Sequence, residues 1–303
     1  MTFYQELQLN QAGSKELIRN TQNNKEKFKH IAIYLFKIFL TMIFCMAFVI
    51  GYSKIFGNSN SVVGVVVLLF VLVFRNIDLS IKTSHAIPSL IAIFAILAFG
   101  PRLSNISNIF VELLVNTICI FLLMFLGCHN VKMCNHSTLV LGYLLLYGYD
   151  VSGTLYIKRL EGLAVGIIIT GIIYYVKHRK KEHKSSLSSF IQEFDIKSDR
   201  TKWQLSLTIA ISSILFIARL IHLPRAMWVG IAVMSIISPF PTGKREKAKS
   251  RILGNIFGAL LVFIIFTYCP KFMYENIGIL GGIGVGLSAT YGFQSVFNTF
   301  GAI

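Results

Sequence analysis

Apolar runs of membrane length, separated by short basic stretches, constrain this chain more than any other feature. They fall at about 31–50, 62–74, 86–99, 109–126, 138–149, 155–176, 203–220, 226–240 and 252–269, with an apolar, glycine-rich stretch from Asn276 to Ile303. Several approach or exceed about 18 residues, the length that crosses about 30 Å of hydrocarbon at about 1.5 Å per residue. Inside a bilayer every backbone polar group has to be satisfied within the protein, which leaves helices or a closed barrel. The short alternating segments of a barrel are absent. Composition agrees, with 54% hydrophobic against 14% charged residues and a mean hydropathy of +0.67. The chain therefore reads as all-α, a polytopic helical membrane protein of about ten spans.

Charge then orients the spans. The formal net charge of +16 raises the question of nucleic acid, but the cations are not spread as a binding face. They fall in blocks between apolar runs: Lys15 to Lys29, Arg75 with Lys82, Lys177 to Lys202, and Lys244 to Arg251. That is the positive-inside bias of cytoplasmic loops, and nucleic acid is set aside. With the N-terminus inside, the loops 75–85, 177–202 and 241–251 all emerge on the cytoplasmic side of a cell membrane. Lys158, Arg159, Arg219 and Arg225 then fall on or near the outer side and need another explanation. The division is a polar lead-in (1–30) without a signal-peptide core, a first transmembrane half (31–176), a basic cytoplasmic linker (177–202) and a second half (203–303). Cys45, Cys119, Cys128, Cys134 and Cys269 imply no disulfide framework.

Weak internal repetition accompanies this division. A shift of 166 positions pairs Gly64 with Gly230, Phe74 with Phe240 and Ser84 with Ser250. Asp78-x-Ser80 echoes Asp150-x-Ser152 three spans away, so those copies would be inverted. Three-helix repeats nested in six-helix halves are a recurrent transporter design, with the site near the midplane.

The most distinctive stretch runs from Leu223 to Gly258. Leu223-Pro224-Arg225-Ala226-Met227-Trp228 opens one apolar run, and Pro241 to Arg251 forms a basic hinge. Arg251-x-x-Gly254-x-x-x-Gly258 opens the next run. This aromatic entry, basic loop and Arg-x-x-Gly-x-x-x-Gly start resemble the fusaric acid resistance (FUSC) or aromatic acid exporter family, whose relatives include plant aluminium-activated malate channels. The resemblance implies export of small aromatic or other organic acids, driven by the proton gradient, with a carboxylate held near Arg159 and Arg225 between the halves. It also implies a final span or two beyond Ile303, either missing from the sequence or supplied by a partner, and a homo-oligomer is one expectation, since a channel pore commonly lies at an oligomer axis. A passive organic-anion channel and a non-transporting membrane scaffold are the competing readings.

The candidate anion-binding residues are Arg159, Arg225, Arg251 and Lys158, because guanidinium matches a carboxylate through paired hydrogen bonds and intramembrane charge is costly enough to need a purpose. Each competes with a structural role: snorkelling to a headgroup, or, for Arg159, pairing with Glu161 or Asp150. Asp78, Asp150, Glu112 and His85 are the candidate proton carriers, weighed against helix capping by the two aspartates and an interhelical polar contact by Glu112 with Asn116. Glycines recur every fourth residue at 162/166, 254/258 and 278/282/286, which favours close helix packing. Cys128, His129, Cys134 and His136 lie within one loop, but their spacing fits no established zinc motif, so no metal is expected. No cofactor motif or nucleophile–base pair stands out, and an enzyme is not expected.

Overall fold

The computed structural model describes residues 2–181, 183, 185–186, 194–239, 243–288 and 290–302. These residues are helical and carry no strand. The helices are α1 (Phe3–Gln8), α2 (Gln11–Asn20), α3 (Asn24–Phe56), α4 (Ser61–Phe74), α5 (Thr83–Ile106), α6 (Ile109–Gly127), α7 (His136–Gly148), α8 (Thr154–His178), α9 (Asp199–Leu220), α10 (Met227–Ile236), α11 (Lys244–Tyr268), α12 (Lys271–Glu275), α13 (Ile277–Leu287) and α14 (Tyr291–Phe300). Among the described residues six are long and apolar enough to cross a membrane, namely α3, α5, α6, α8, α9 and α11.

The sequence predicts about ten spans, with those at 62–74 and 138–149 short, and the helices alternate in length. α3, α4 and α5 have 33, 14 and 24 residues; α6, α7 and α8 have 19, 13 and 25; α9, α10 and α11 have 22, 10 and 25. Long, short, long recurs three times among the described helices. A 14-residue helix is about 21 Å long, too short for the hydrocarbon on its own. The short helices α4 and α7 are correspondingly buried. Val63, Val66, Val67, Phe70 and Phe74 of α4, and Leu139, Val140, Tyr143, Leu144 and Leu146 of α7, are all sealed from the surface. An all-apolar helix belongs inside a core, which is why α4, with its run of valines, packs there. The long helices turn apolar side chains outward instead, as Phe39, Ile91, Phe110 and Ile168 do.

Two compact units result, residues 1–47 with 249–303 and residues 48–248. In the larger, α4 packs on α8 through Gly162, where an added Cβ would come within 3.3 Å of Val63. In the smaller, α11 packs on α14 through Gly254 and Gly258; a Cβ on either would meet α14 at 2.6 Å, in the second case at the carbonyl oxygen of Val296. The fourth-residue glycines at these positions are thus close-packing surfaces, whereas Gly278 faces open space. The smaller unit also holds the first two helices against α3: Lys37 Nζ donates to the carbonyl of Leu9 and to Ser14 Oγ, and Glu6 meets His30 at 2.8 Å.

Candidate anion and proton sites

Antiparallel packing in the larger unit gathers its polar residues at two ends. The basic end carries the loop 75–82 and the start of the linker. Here the chain is not helical but is buried, with Leu79 and Ile81 sealed and Ser80 in the left-handed region at φ 57°. Buried backbone outside a helix has to find its hydrogen-bond partners within the protein. Tyr174 Oη accepts from the Leu79 amide at 3.1 Å, and Asn135 Nδ2 donates to the Asp78 carbonyl at 3.2 Å. The Asp78 carboxylate accepts from the Ser80 amide at 2.9 Å and from Lys181 Nζ at 2.9 Å, with His183 Nε2 at 3.4 Å. Burial pushes its pKa up, but the Lys181 and Ser80 hydrogen bonds and the charges of Lys181 and His183 prevail and hold it below the usual carboxylate value. Asp78 does not cap the next helix, because α5 starts at Lys82 without a side-chain cap. It fastens the linker instead.

The opposite end is built around Arg159, which is 2% exposed. Its Nε donates to Asn60 Oδ1 at 3.2 Å, Nη1 to the Leu146 carbonyl at 3.3 Å, and Nη2 to the Tyr149 carbonyl. Leu146 lies in the last turn of α7, whose carbonyls lack intrahelical donors, so a cation is favoured there. Neither Glu161 nor Asp150 is its partner. Asp150 instead pairs with Arg102 at 2.5 Å, and α8 begins at Gly153 without a side-chain cap. Arg102 also lies over the Tyr156 ring at 5.9 Å. Glu112 and Asn116 both face inward, as the interhelical reading expected. Tyr147 Oη donates to Glu112 Oε1 at 2.5 Å, and Tyr143 Oη and Ser104 Oγ both donate to Asn116 Oδ1. Glu112 Oε2 has no hydrogen-bond partner and sits 3.5 Å from Arg219 Nε.

The remaining candidates are dispersed. Lys158 and Arg225 are exposed, Arg225 at a left-handed φ of 55° in the turn before α10. His85 is half-buried in the first turn of α5. Cys128 is buried at the end of α6, His136 stacks edge-on against Trp203, and His129 approaches Arg200. No group of three or more metal-capable side chains forms among the described residues.

Arg251 lies in the smaller unit. It is 8% exposed, and its Nε has no hydrogen-bond partner. A buried guanidinium nitrogen without a hydrogen-bond partner is a costly arrangement. One residue before it, Ser250 begins the wall of a cavity of about 530 Å³ between α11 and α14. Phe257, Phe293 and Phe297 line its body, and Ser250 and Thr290 contribute hydroxyls. Gly254 lines this wall, and Gly254 with Gly258 brings α14 close to α11.

The comparisons bear on this same region. Residues 209–303 match the family model described as fusaric acid resistance protein-like. No curated protein and no solved structure matches the chain. The match covers less than half of the chain, so residues 209–303 are similar to the fusaric acid resistance protein-like family; with the six long apolar helices, that similarity supports a multi-pass membrane protein of transporter type.

Proposed function

We propose that the protein exports small aromatic or other organic acids, with Arg251 and the adjoining α11–α14 cavity as the substrate site. Two observations support this reading: the guanidinium of Arg251 is buried with its Nε lacking a hydrogen-bond partner among the described residues, and the adjacent Ser250 begins the wall of an aromatic-lined cavity. A carboxylate at Arg251 would complete the missing charge pair, while a ring would lie among Phe257, Phe293 and Phe297. Arg159 has three donors already engaged, and Arg225 and Lys158 are exposed, so the anion role falls to Arg251.

Coupling to protons is assigned to Glu112. All three candidate carboxylates meet a cation, Asp150 at 2.5 Å and Asp78 at 2.9 Å but Glu112 only at 3.5 Å from Arg219. Glu112 keeps one buried oxygen without a hydrogen bond beside half-exposed Arg219. The basic end is proposed to face the cytoplasm of a cell membrane. The test is flux of labelled aromatic carboxylates in proteoliposomes with and without a pH gradient. The wild type is expected to show gradient-dependent flux that Glu112→Gln uncouples. Flux that ignores the pH gradient in the wild type but follows voltage would replace this reading with an anion channel.

A further inference from the structure

A second cavity, in the larger unit, has a different chemistry. It measures about 480 Å³ and lies between α5 and α8, lined by Ile87, Ile91, Ile167, Ile168, Ile172 and Tyr175 with Gly171 at its floor. Ile91, Ile168 and Ile172 are each more than half exposed, so the groove opens sideways rather than into the core. Its walls are the first turns of α5 and the last turns of α8, and Thr83 Oγ1 donates to the His178 carbonyl where the two helix ends meet. The groove therefore runs to the basic end.

Cations lie at the two helix ends that form that mouth. Arg179 follows Tyr175 by one helical turn on the same stripe, and Lys82 immediately precedes α5; both are exposed, as are Lys177 and Lys180. The first turn of α5, uncapped by any side chain, adds the positive end of its helix dipole. Asp78, the carboxylate nearest in sequence to this mouth, is already occupied by Lys181. His178 turns its Nε2 away to the Phe74 carbonyl. We propose that this groove binds one anionic phospholipid, an acyl chain along the isoleucines and the phosphate between Lys82 and Arg179. An apolar slot alone would suit any chain; the cations at the two helix ends select the charged headgroup.

Each headgroup-level cation contributes roughly a fivefold preference, so the pair is worth about 30-fold. The experiment uses native mass spectrometry of the full chain, incubated with equimolar phosphatidylglycerol and phosphatidylcholine of identical acyl chains. Wild type is expected to retain phosphatidylglycerol over phosphatidylcholine by at least about tenfold. Lys82→Gln with Arg179→Gln should bring the ratio near one while neutral lipid still binds. Gly171→Leu, at a site where an added Cβ meets nothing within 4 Å, should fill the groove and reduce both. Equal retention by the wild type, or a preference that survives the double substitution, overturns the proposal. A concentration-dependent dimer broken by Gly171→Leu would also overturn it, by assigning the groove to a second copy of the chain.

Discussion

Replacing Arg159 by methionine removes a cation that the sequence nominates for substrate and the structure engages in a staple. Asn60 is fully buried and donates its Nδ2 to the carbonyls of Phe56 and Leu155 while its Oδ1 accepts from Arg159. Arg159 in turn closes onto the ends of α7. The pair thus ties the end of α3, the end of α7 and the start of α8. Methionine keeps the apolar stem but leaves three carbonyl acceptors short of a donor. At about 1–3 kcal/mol for each buried group left unsatisfied, the gross loss is about 3–9 kcal/mol. Water reaching the bundle end and the relief of desolvating a guanidinium reduce it, so a net loss of about 3 kcal/mol is expected. At about 2–4 °C per kcal/mol, Tm in detergent should fall by about 6–12 °C. The assay is a thermal-shift series monitored by size exclusion, run beside flux per folded molecule. A variant with unchanged Tm and selectively weakened substrate affinity would refute the staple and restore Arg159 as the anion site.

Two further outcomes follow from the same packing and electrostatics. Gly258→Ala should destabilise by about 1–3 kcal/mol, because its Cβ would press on the Val296 backbone carbonyl, whereas Gly171→Ala, facing open space, should be neutral or stabilising by up to about 1 kcal/mol; paired melting curves in detergent check both. Asp78→Asn should cost about 1 kcal/mol near neutral pH, since Lys181 is half exposed. The Asp78 carboxyl is held below its unfolded value, so its contribution is present above about pH 4 and disappears as pH falls through its folded value. The wild-type and Asn melting temperatures should therefore converge only in acid; a gap that persists there would contradict the ion-pair account.

How much of this was legible follows from what periodicity and charge encode. Run length gave the helices because a bilayer leaves the backbone few alternatives, and the basic blocks marked one end of the bundle. The fourth-residue glycines at 162, 254 and 258 were legible as contacts because bare backbone at that spacing has little other use. Short buried α4 and α7 were harder: an apolar run looks alike whether lipid or protein surrounds it, and only length separates them. Side-chain partners were not legible. Asp78 and Asp150 resemble helix caps locally, yet their cations, Lys181 and Arg102, come from distant segments. Asn60 gave no signal in sequence, since one asparagine before an apolar run reads as a loop residue. Arg251 reads in the sequence as the end of a basic block, and only its burial distinguishes it from its neighbours.

The central claim is that Arg251 anchors an organic anion in the α11–α14 cavity, and saturation binding of a radiolabelled aromatic carboxylate to the purified full chain tests it most directly. Wild type is expected to show one saturable site. Arg251→Gln should weaken it by about 10–100-fold, from a charged hydrogen bond worth about 1.5–3 kcal/mol, and Arg251→Lys should recover part of it. Binding of unchanged affinity in a folded Arg251→Gln protein would contradict the account.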